Sequence, residues 1–225
     1  AFTACGGNND QAKEKNEEVA NTQNQDSEDK NQAESKEKEE SKENSDKEAQ
    51  GEKILRTNNS SEPASLDPAL AKGTHESWIL QHAFTGLMSY DENGDLAPAM
   101  AESYDESDDG LTYTFHIRED AKWSNGDPVK ASDFEYAWKR VVDPKLASDY
   151  AYQISNYVVG AEEYLNGDGS ADDIGIKSID DKTLEVKLKK PSPYFLGLTA
   201  FYTLYPVNQN VVEANADWAK DPTNT

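Results

Sequence analysis

The sequence of 225 residues lacks several features that other proteins depend on. It contains a single cysteine, which excludes an intramolecular disulfide and a cysteine-rich zinc site. It contains no run of 18 or more apolar residues, so no segment is predicted to span a membrane as a helix. The chain must therefore fold without a covalent cross-link of its own.

Basic residues are also scarce. There are 22 lysines and arginines against 44 aspartates and glutamates, which gives a formal net charge of -22. A surface this negative repels the phosphate backbone of nucleic acids and the head groups of anionic lipids. We therefore expect no nucleic-acid partner.

Hydrophobic residues are almost missing from the first 50 positions. This segment holds 14 acidic residues and 7 lysines, and it has no aromatic residue after Phe2. Such a segment cannot bury enough apolar surface to offset the entropy lost on ordering, so we predict a disordered, charged tether over 1–50. All tryptophans and tyrosines lie in 51–225, which is long enough for one domain or two small ones.

The single cysteine stands close to the start of the sequence. Small residues precede Cys5, and two glycines and a polar segment follow it. This arrangement resembles the end of a bacterial lipoprotein signal peptide, whose cysteine becomes lipidated after cleavage. The resemblance implies that Cys5 is a lipid anchor and that the tether holds a binding domain away from a membrane surface. The alternative is an unmodified cysteine in a flexible tail.

Periodic patterns after residue 51 predict both helices and strands. Residues 53–57 and the alternating residues 111–117 and 184–188 predict strands. A helix is expected over 76–87, beginning near Thr74 or His75. A second is expected from a capping box of Ser132 and Glu135 up to the Asp-Pro pair at 143–144. Strands and helices alternate without a regular rhythm, which indicates a mixed α/β (α+β) fold with antiparallel hairpins.

Motifs for catalysis or metal binding are incomplete. His75 and Glu76 begin like the zinc helix HExxH, but the second histidine is missing. The acidic run at 105–110 begins like a calcium loop, but its twelfth position is His116 instead of glutamate, so a hairpin turn is predicted. We expect no metal site, no cofactor and no enzymatic activity.

An ordered set of short phrases is spread through 51–225. They are SLDP at 65–68, FTGL at 84–87, LAPAMAES at 96–103, TYTFHIR at 112–118, DAKWSNG at 120–126, PV at 128–129, ASDF at 131–134, YAWKR at 136–140, DP at 143–144, IDD at 179–181, TLEV at 183–186 and PYF at 193–195. In this order the phrases resemble the extracellular solute-binding proteins of peptide ABC importers, the oligopeptide-binding family.

The resemblance implies a periplasmic-binding-protein-like architecture of two lobes that close on a peptide, with a small domain inserted in the first lobe. Residues 51–84 would begin the first lobe, 85–206 would form the inserted domain, and 207–225 would return to the first lobe. The second lobe is then expected outside this sequence.

The resemblance also implies where a peptide is bound. A segment that offers its backbone to the ligand aligns with Lys72, Gly73, Thr74 and His75, and an aromatic ligand contact aligns with Tyr150. As alternatives, 72–75 is simply the loop before a helix, and Tyr150 is an ordinary core residue.

The function implied is a receptor on the extracytoplasmic face of the membrane that passes oligopeptides to permease and ATPase subunits on other chains. A receptor of the same family for a pheromone peptide, nickel or a sugar is an alternative. A surface adhesin or interaction protein is another, since the tether would suit it.

Overall fold

The structure, a computed structural model, describes residues 54–220. The chain divides into two units, 1–57 and 58–225. In the second unit, helices α1–α6 span Thr74–Ala83, Ala131–Val141, Tyr152–Ser155, Ala161–Leu165, Phe195–Leu198 and Gln209–Ala214. Strands β1–β6 span Met88–Tyr90, Leu96–Pro98, Ala101–Glu106, Thr112–Ile117, Ile176–Ser178 and Thr183–Lys187. Short 3₁₀ helices span Ala171–Asp173, Tyr202–Leu204 and Trp218–Lys220. The predicted mixed α/β fold is confirmed.

The larger sheet has four antiparallel strands in the order β3-β4-β6-β5. Tyr113, Phe115 and Ile117 of β4 are buried and the residues between them are partly exposed, so the predicted alternation is confirmed. The turn that joins β3 to β4 contains Gly110 at φ 66°, a left-handed conformation that favours glycine. The acidic run before it is a hairpin turn, as predicted.

Helix α2 packs against this sheet. Phe134, Ala137, Trp138 and Val141 are buried along one face, as their spacing predicted. The predicted capping box of Ser132 and Glu135 is wrong. The helix begins at Ala131, and the carboxylate of Asp133 accepts the N–H of Lys130 (2.9 Å).

Glu135 has a different partner. Its carboxylate accepts both the N–H and the hydroxyl of Ser178 at 2.7 Å, and it forms an ion pair with Lys139. Because this side chain is engaged by β5, it is not available to cap its own helix.

Helix α1 is shorter at its end than predicted. It stops at Ala83, and Phe84 is extended with φ -126° and ψ 166°. Phe84 and Leu87 are nonetheless buried. The reason is visible at Gly86, where a Cβ atom would lie 2.4 Å from the carbonyl oxygen of Thr199. After Ala83 the chain is no longer helical, and at Gly86 it packs closely against the backbone of Thr199.

The strand predicted over 53–57 is also wrong for its described part. Residues 54–57 form no strand, and Ile54 and Leu55 are exposed. Apolar residues alone do not make a strand, since a strand needs a hydrogen-bonded neighbour. Among residues 54–220, no helix has the length and hydrophobicity needed to cross a membrane.

Candidate functional site

The SLDP phrase is a turn fixed by a buried ion pair. The guanidinium of Arg140 donates to both carboxylate oxygens of Asp67, at 2.9 and 2.5 Å. The same carboxylate accepts the N–H of Ala69, and the carbonyl of Asp67 accepts the N–H groups of Leu70 and Ala71. Burial acts to lower the pKa of Arg140, but the hydrogen bonds to Asp67 and the negative charge of Asp67 together outweigh burial and raise that pKa overall. Helix α2 therefore holds the start of this loop.

The other end of the loop is held by three successive residues. Ser148 donates its hydroxyl to the carbonyl of Ala69 (2.6 Å), and Tyr150 donates its hydroxyl to the carbonyl of Lys72 (3.1 Å). Between them Asp149 pairs with the ammonium of Lys72. The structure thus brings Tyr150 to the predicted segment 72–75, although 78 residues separate Tyr150 from Lys72 in sequence.

A buried carboxylate lies beneath the segment. Glu76 is 2% exposed, and its Oε1 accepts the N–H of Ala64 (2.8 Å) and contacts Nε2 of His75 (3.1 Å). Burial acts to raise the pKa of Glu76, but the hydrogen bond from Ala64 and further bonds together lower it. Gly73 lies directly above, since a Cβ there would stand 2.5 Å from Oε2 of Glu76.

The predicted residues Gly73, Thr74 and His75 form the start of α1. Gly73 is the N-cap and, having no side chain, leaves the first amide groups uncapped by it. The first amide donors of a helix lack intrahelical partners, so they are suited to meet acceptors on another chain. A hollow of about 340 Å³ opens beside Thr74 and His75, and Asn58, Asn59, Ser60 and Trp78 complete its lining. Lys72, Gly73 and Tyr150 lie outside that lining.

Three aromatic rings lie close to the ring of Tyr150. Its ring centroid lies 5.9 Å from that of Tyr152, 5.4 Å from Phe201 and 6.1 Å from Tyr202. Burial raises the pKa of Tyr202, and its hydrogen bond with Tyr150 acts in the same direction. Tyr150 is partly buried and also packs against the core, so its position suits both interpretations offered by the sequence.

Sequence reasoning missed several residues of this site. Asp67 and Arg140 were quoted within phrases, but nothing in their spacing showed that they pair. Glu76 was considered only as part of an incomplete zinc motif. Among the described residues 54–220, no group of three or more histidine, cysteine or acidic side chains could hold a metal ion. Cys5 lies outside the described residues.

Comparisons with known proteins define the class of protein to which this chain belongs. A family described as "Bacterial extracellular solute-binding proteins, family 5 Middle" matches residues 95–225. The chain belongs to this family.

Individual relatives agree with the family match. The chain is 46% identical over 172 residues to "Oligopeptide-binding protein OppA" of Bacillus subtilis, which covers 76% of this chain and 31% of that protein. The solved structure of Haemophilus influenzae OppA in complex with RPPGFSPFR has a TM-score of 0.70 at 41% identity, covering 72% of this chain and 32% of that one.

The pheromone receptor PrgZ has a TM-score of 0.67 at 40% identity, covering 71% of this chain and 32% of that structure. The chain spans about a third of the length of the curated relatives that it matches.

Proposed function

We propose that the complete protein is the substrate-binding component of an ABC importer, which captures extracellular oligopeptides and delivers them to a membrane permease. The observation that carries this proposal is the 46% identity to a protein named for oligopeptide binding. The solved relative with a bound nonapeptide supports it.

The segment Lys72–His75 is the proposed backbone contact. A peptide of varied sequence must be held by the groups that all peptides share, so main-chain pairing supplies the affinity. The start of α1, which Gly73 does not cap with a side chain, offers amide donors. Arg140, Ser148 and Tyr150 hold the preceding loop in place before a ligand arrives. Such preorganisation reduces the ordering cost of binding.

The remaining steps belong to the whole protein. Residues 51–84 and 207–225 are assigned to the first lobe, and 85–206 to a small inserted domain. Closure of two lobes around a hinge would bury the peptide and signal loading to the permease. ATP hydrolysis is assigned to subunits on other chains, so we expect neither a catalytic residue nor a cofactor on this one.

Cys5 is proposed as the lipid anchor that keeps the protein on the extracytoplasmic face of the membrane. Contact with the membrane then runs through the lipid alone, because the acidic chain repels anionic head groups. Metabolic labelling with a lipid analogue tests this: label is expected on the mature protein and not on the Cys5→Ser variant. An unlabelled mature protein would overturn the anchor.

Peptide capture is tested by incubating the complete protein with a mixed peptide library and identifying the retained peptides by mass spectrometry. Retention of many unrelated sequences is expected, followed by measurable heats of binding for individual peptides in calorimetry. If the protein retains no peptide, the proposed function is wrong.

A signalling-peptide receptor is the second candidate, favoured by the similarity to the pheromone receptor PrgZ. The same library separates the two candidates. A nutrient receptor enriches many sequences, whereas a signal receptor enriches one sequence or a few close variants.

A further inference from the structure

Tyr150 connects the proposed backbone contact to a second surface. Its hydroxyl holds the carbonyl of Lys72, and its ring meets Phe201 edge-on at 82° and Tyr202 at 88°. The rings that contact Tyr150 are therefore linked to the segment 72–75 through Tyr150.

Two of these rings face solvent. Tyr152, at the first position of α3, is 48% exposed, and Phe201 is partly exposed just before a 3₁₀ turn. They are held from behind, because Phe201 packs on the buried Tyr202 at 4.3 Å and Tyr152 packs on Tyr150. Rings fixed in this way offer apolar contact area at little entropic cost to a partner.

We infer that Tyr152 and Phe201, with Tyr150 between them, form an aromatic wall that receives a large apolar side chain of the bound peptide, with aromatic side chains preferred. This inference rests on the proposed function. A backbone contact cannot discriminate between peptides, so selectivity has to arise where a ligand side chain meets the protein. The wall is an apolar surface that Tyr150 links directly to that contact.

The aromatic preference follows from the geometry of the rings. Offset or edge-to-face pairs of rings stabilise a contact beyond the area that they bury. The neighbouring ion pair of Lys72 and Asp149 leaves no unpaired charge of either sign on those two side chains. The contacts of the wall itself come from the rings of Tyr150, Tyr152 and Phe201, so the wall selects for size and aromaticity.

The test uses the complete protein and a set of short peptides. The set comprises tetra-alanine and the four variants that carry one phenylalanine, and the dissociation constants are measured by calorimetry. The unaltered protein should bind one of the four phenylalanine peptides about tenfold more tightly than it binds tetra-alanine. In Tyr152→Ala this advantage should fall below about threefold, because the affinity for the phenylalanine peptide falls more than the affinity for tetra-alanine.

Three further variants make the test specific. Tyr152→Phe keeps the ring and should keep the preference. Phe201→Leu keeps much of the apolar volume in the core and should weaken the preference. Tyr194→Ala removes another exposed tyrosine, 75% exposed at the N-cap of α5, and should change nothing.

The outcomes separate the two proposals. The proposed wall is wrong if phenylalanine strengthens binding at no position, or if Tyr152→Ala and Phe201→Leu both keep the phenylalanine preference. The proposal of peptide binding is unaffected by either result. An equal loss for tetra-alanine and for the phenylalanine peptides would also overturn the wall, since it indicates a general role. If the unaltered protein binds none of the peptides and retains nothing from the library, peptide binding itself is wrong.

Discussion

Single residues of the candidate site are fixed by close contacts more than by backbone conformation. Gly73 has φ -118° and ψ 171°, which any residue adopts, so its lack of a side chain matters only because Glu76 lies beneath it. Glu76 cannot swing away freely, since it is buried and accepts the N–H of Ala64. Gly73 and the carboxylate of Glu76 are therefore coupled by this close contact.

A double-mutant cycle tests this coupling between Gly73 and Glu76. Gly73→Ala should lower the free energy of unfolding by about 1–3 kcal/mol, because the new methyl overlaps Oε2 of Glu76. In the Glu76→Ala background the same substitution should cost clearly less, with a coupling of about 1 kcal/mol in urea unfolding.

The control is Gly197→Ala in α5, where the nearest atom to a new Cβ is 3.6 Å away. That substitution should leave stability unchanged or slightly raised. Strict additivity of Gly73→Ala and Glu76→Ala would contradict the close contact.

At the scale of elements, the loop at 67–72 depends on α2 through Arg140. The chain offers a matched comparison, since Arg118 makes a similar two-armed bond to Asp120 on an exposed surface. Burial separates the two pairs. Asp67 is 3% exposed, and it would keep an uncompensated charge if its partner were removed.

Replacement of each arginine by methionine measures the difference. Arg140→Met should lower the free energy of unfolding by about 3–5 kcal/mol, because a buried carboxylate is left unpaired. Arg118→Met should have little effect, because solvent screens its pair. Equal effects in urea unfolding would contradict the role given to burial.

Helix α2 also carries two acidic residues with opposite pH behaviour. Burial raises the pKa of Asp133, so its contribution to stability is greatest below 3.8 and declines as pH rises through its raised pKa. Burial also acts to raise the pKa of Glu135, but bonds from Lys139 and Ser178 lower it overall. The contribution of Glu135 is present above 4.5 and is lost as pH falls through its lowered pKa.

Amide substitutions separate the two groups. As pH falls towards 3.8, the stability of the unaltered protein should rise relative to Asp133→Asn and fall relative to Glu135→Gln. Urea unfolding at several pH values measures both differences. Parallel trends for the two variants would show that the local surroundings of these carboxylates do not control their titration.

The elements were predicted well where periodicity determines them. The alternation around Phe115 and the buried face of α2 follow directly from the order of residues. The end of α1 was not predictable, because it depends on the backbone of Thr199 far along the chain. The cap of α2 was misassigned because Glu135 finds Ser178 on another strand. The site shows the same limit, since the pairing of Asp67 with Arg140 joins residues 73 positions apart.

For the whole molecule, excess negative charge opposes compactness. Residues 51–225 contain 15 basic and 30 acidic residues, so like charges repel one another across the folded surface. This repulsion is long-ranged and is screened by salt, unlike the buried ion pair of Arg140.

Sodium chloride should therefore stabilise the protein. Between about 0.01 M and about 0.15 M salt, the thermal midpoint should rise by about 2–4 °C as screening weakens the repulsion. Near the sequence pI of about 4.4 the effect should vanish, because the net charge is then close to zero. Calorimetry or circular dichroism measures both conditions, and a midpoint that falls with salt at neutral pH would contradict the argument.

The fastening of the loop at 67–72 has an evolutionary consequence. Arg140 and Ser148 hold the carboxylate of Asp67 and the carbonyl of Ala69, and neither is assigned a contact with ligand. Substitutions at these positions can shift the loop by fractions of an ångström while the proposed peptide contacts keep their sequence. The affinity for the proposed ligand can thus drift through residues that are assigned no contact with it, and selection on the proposed function can act well outside the proposed binding surface.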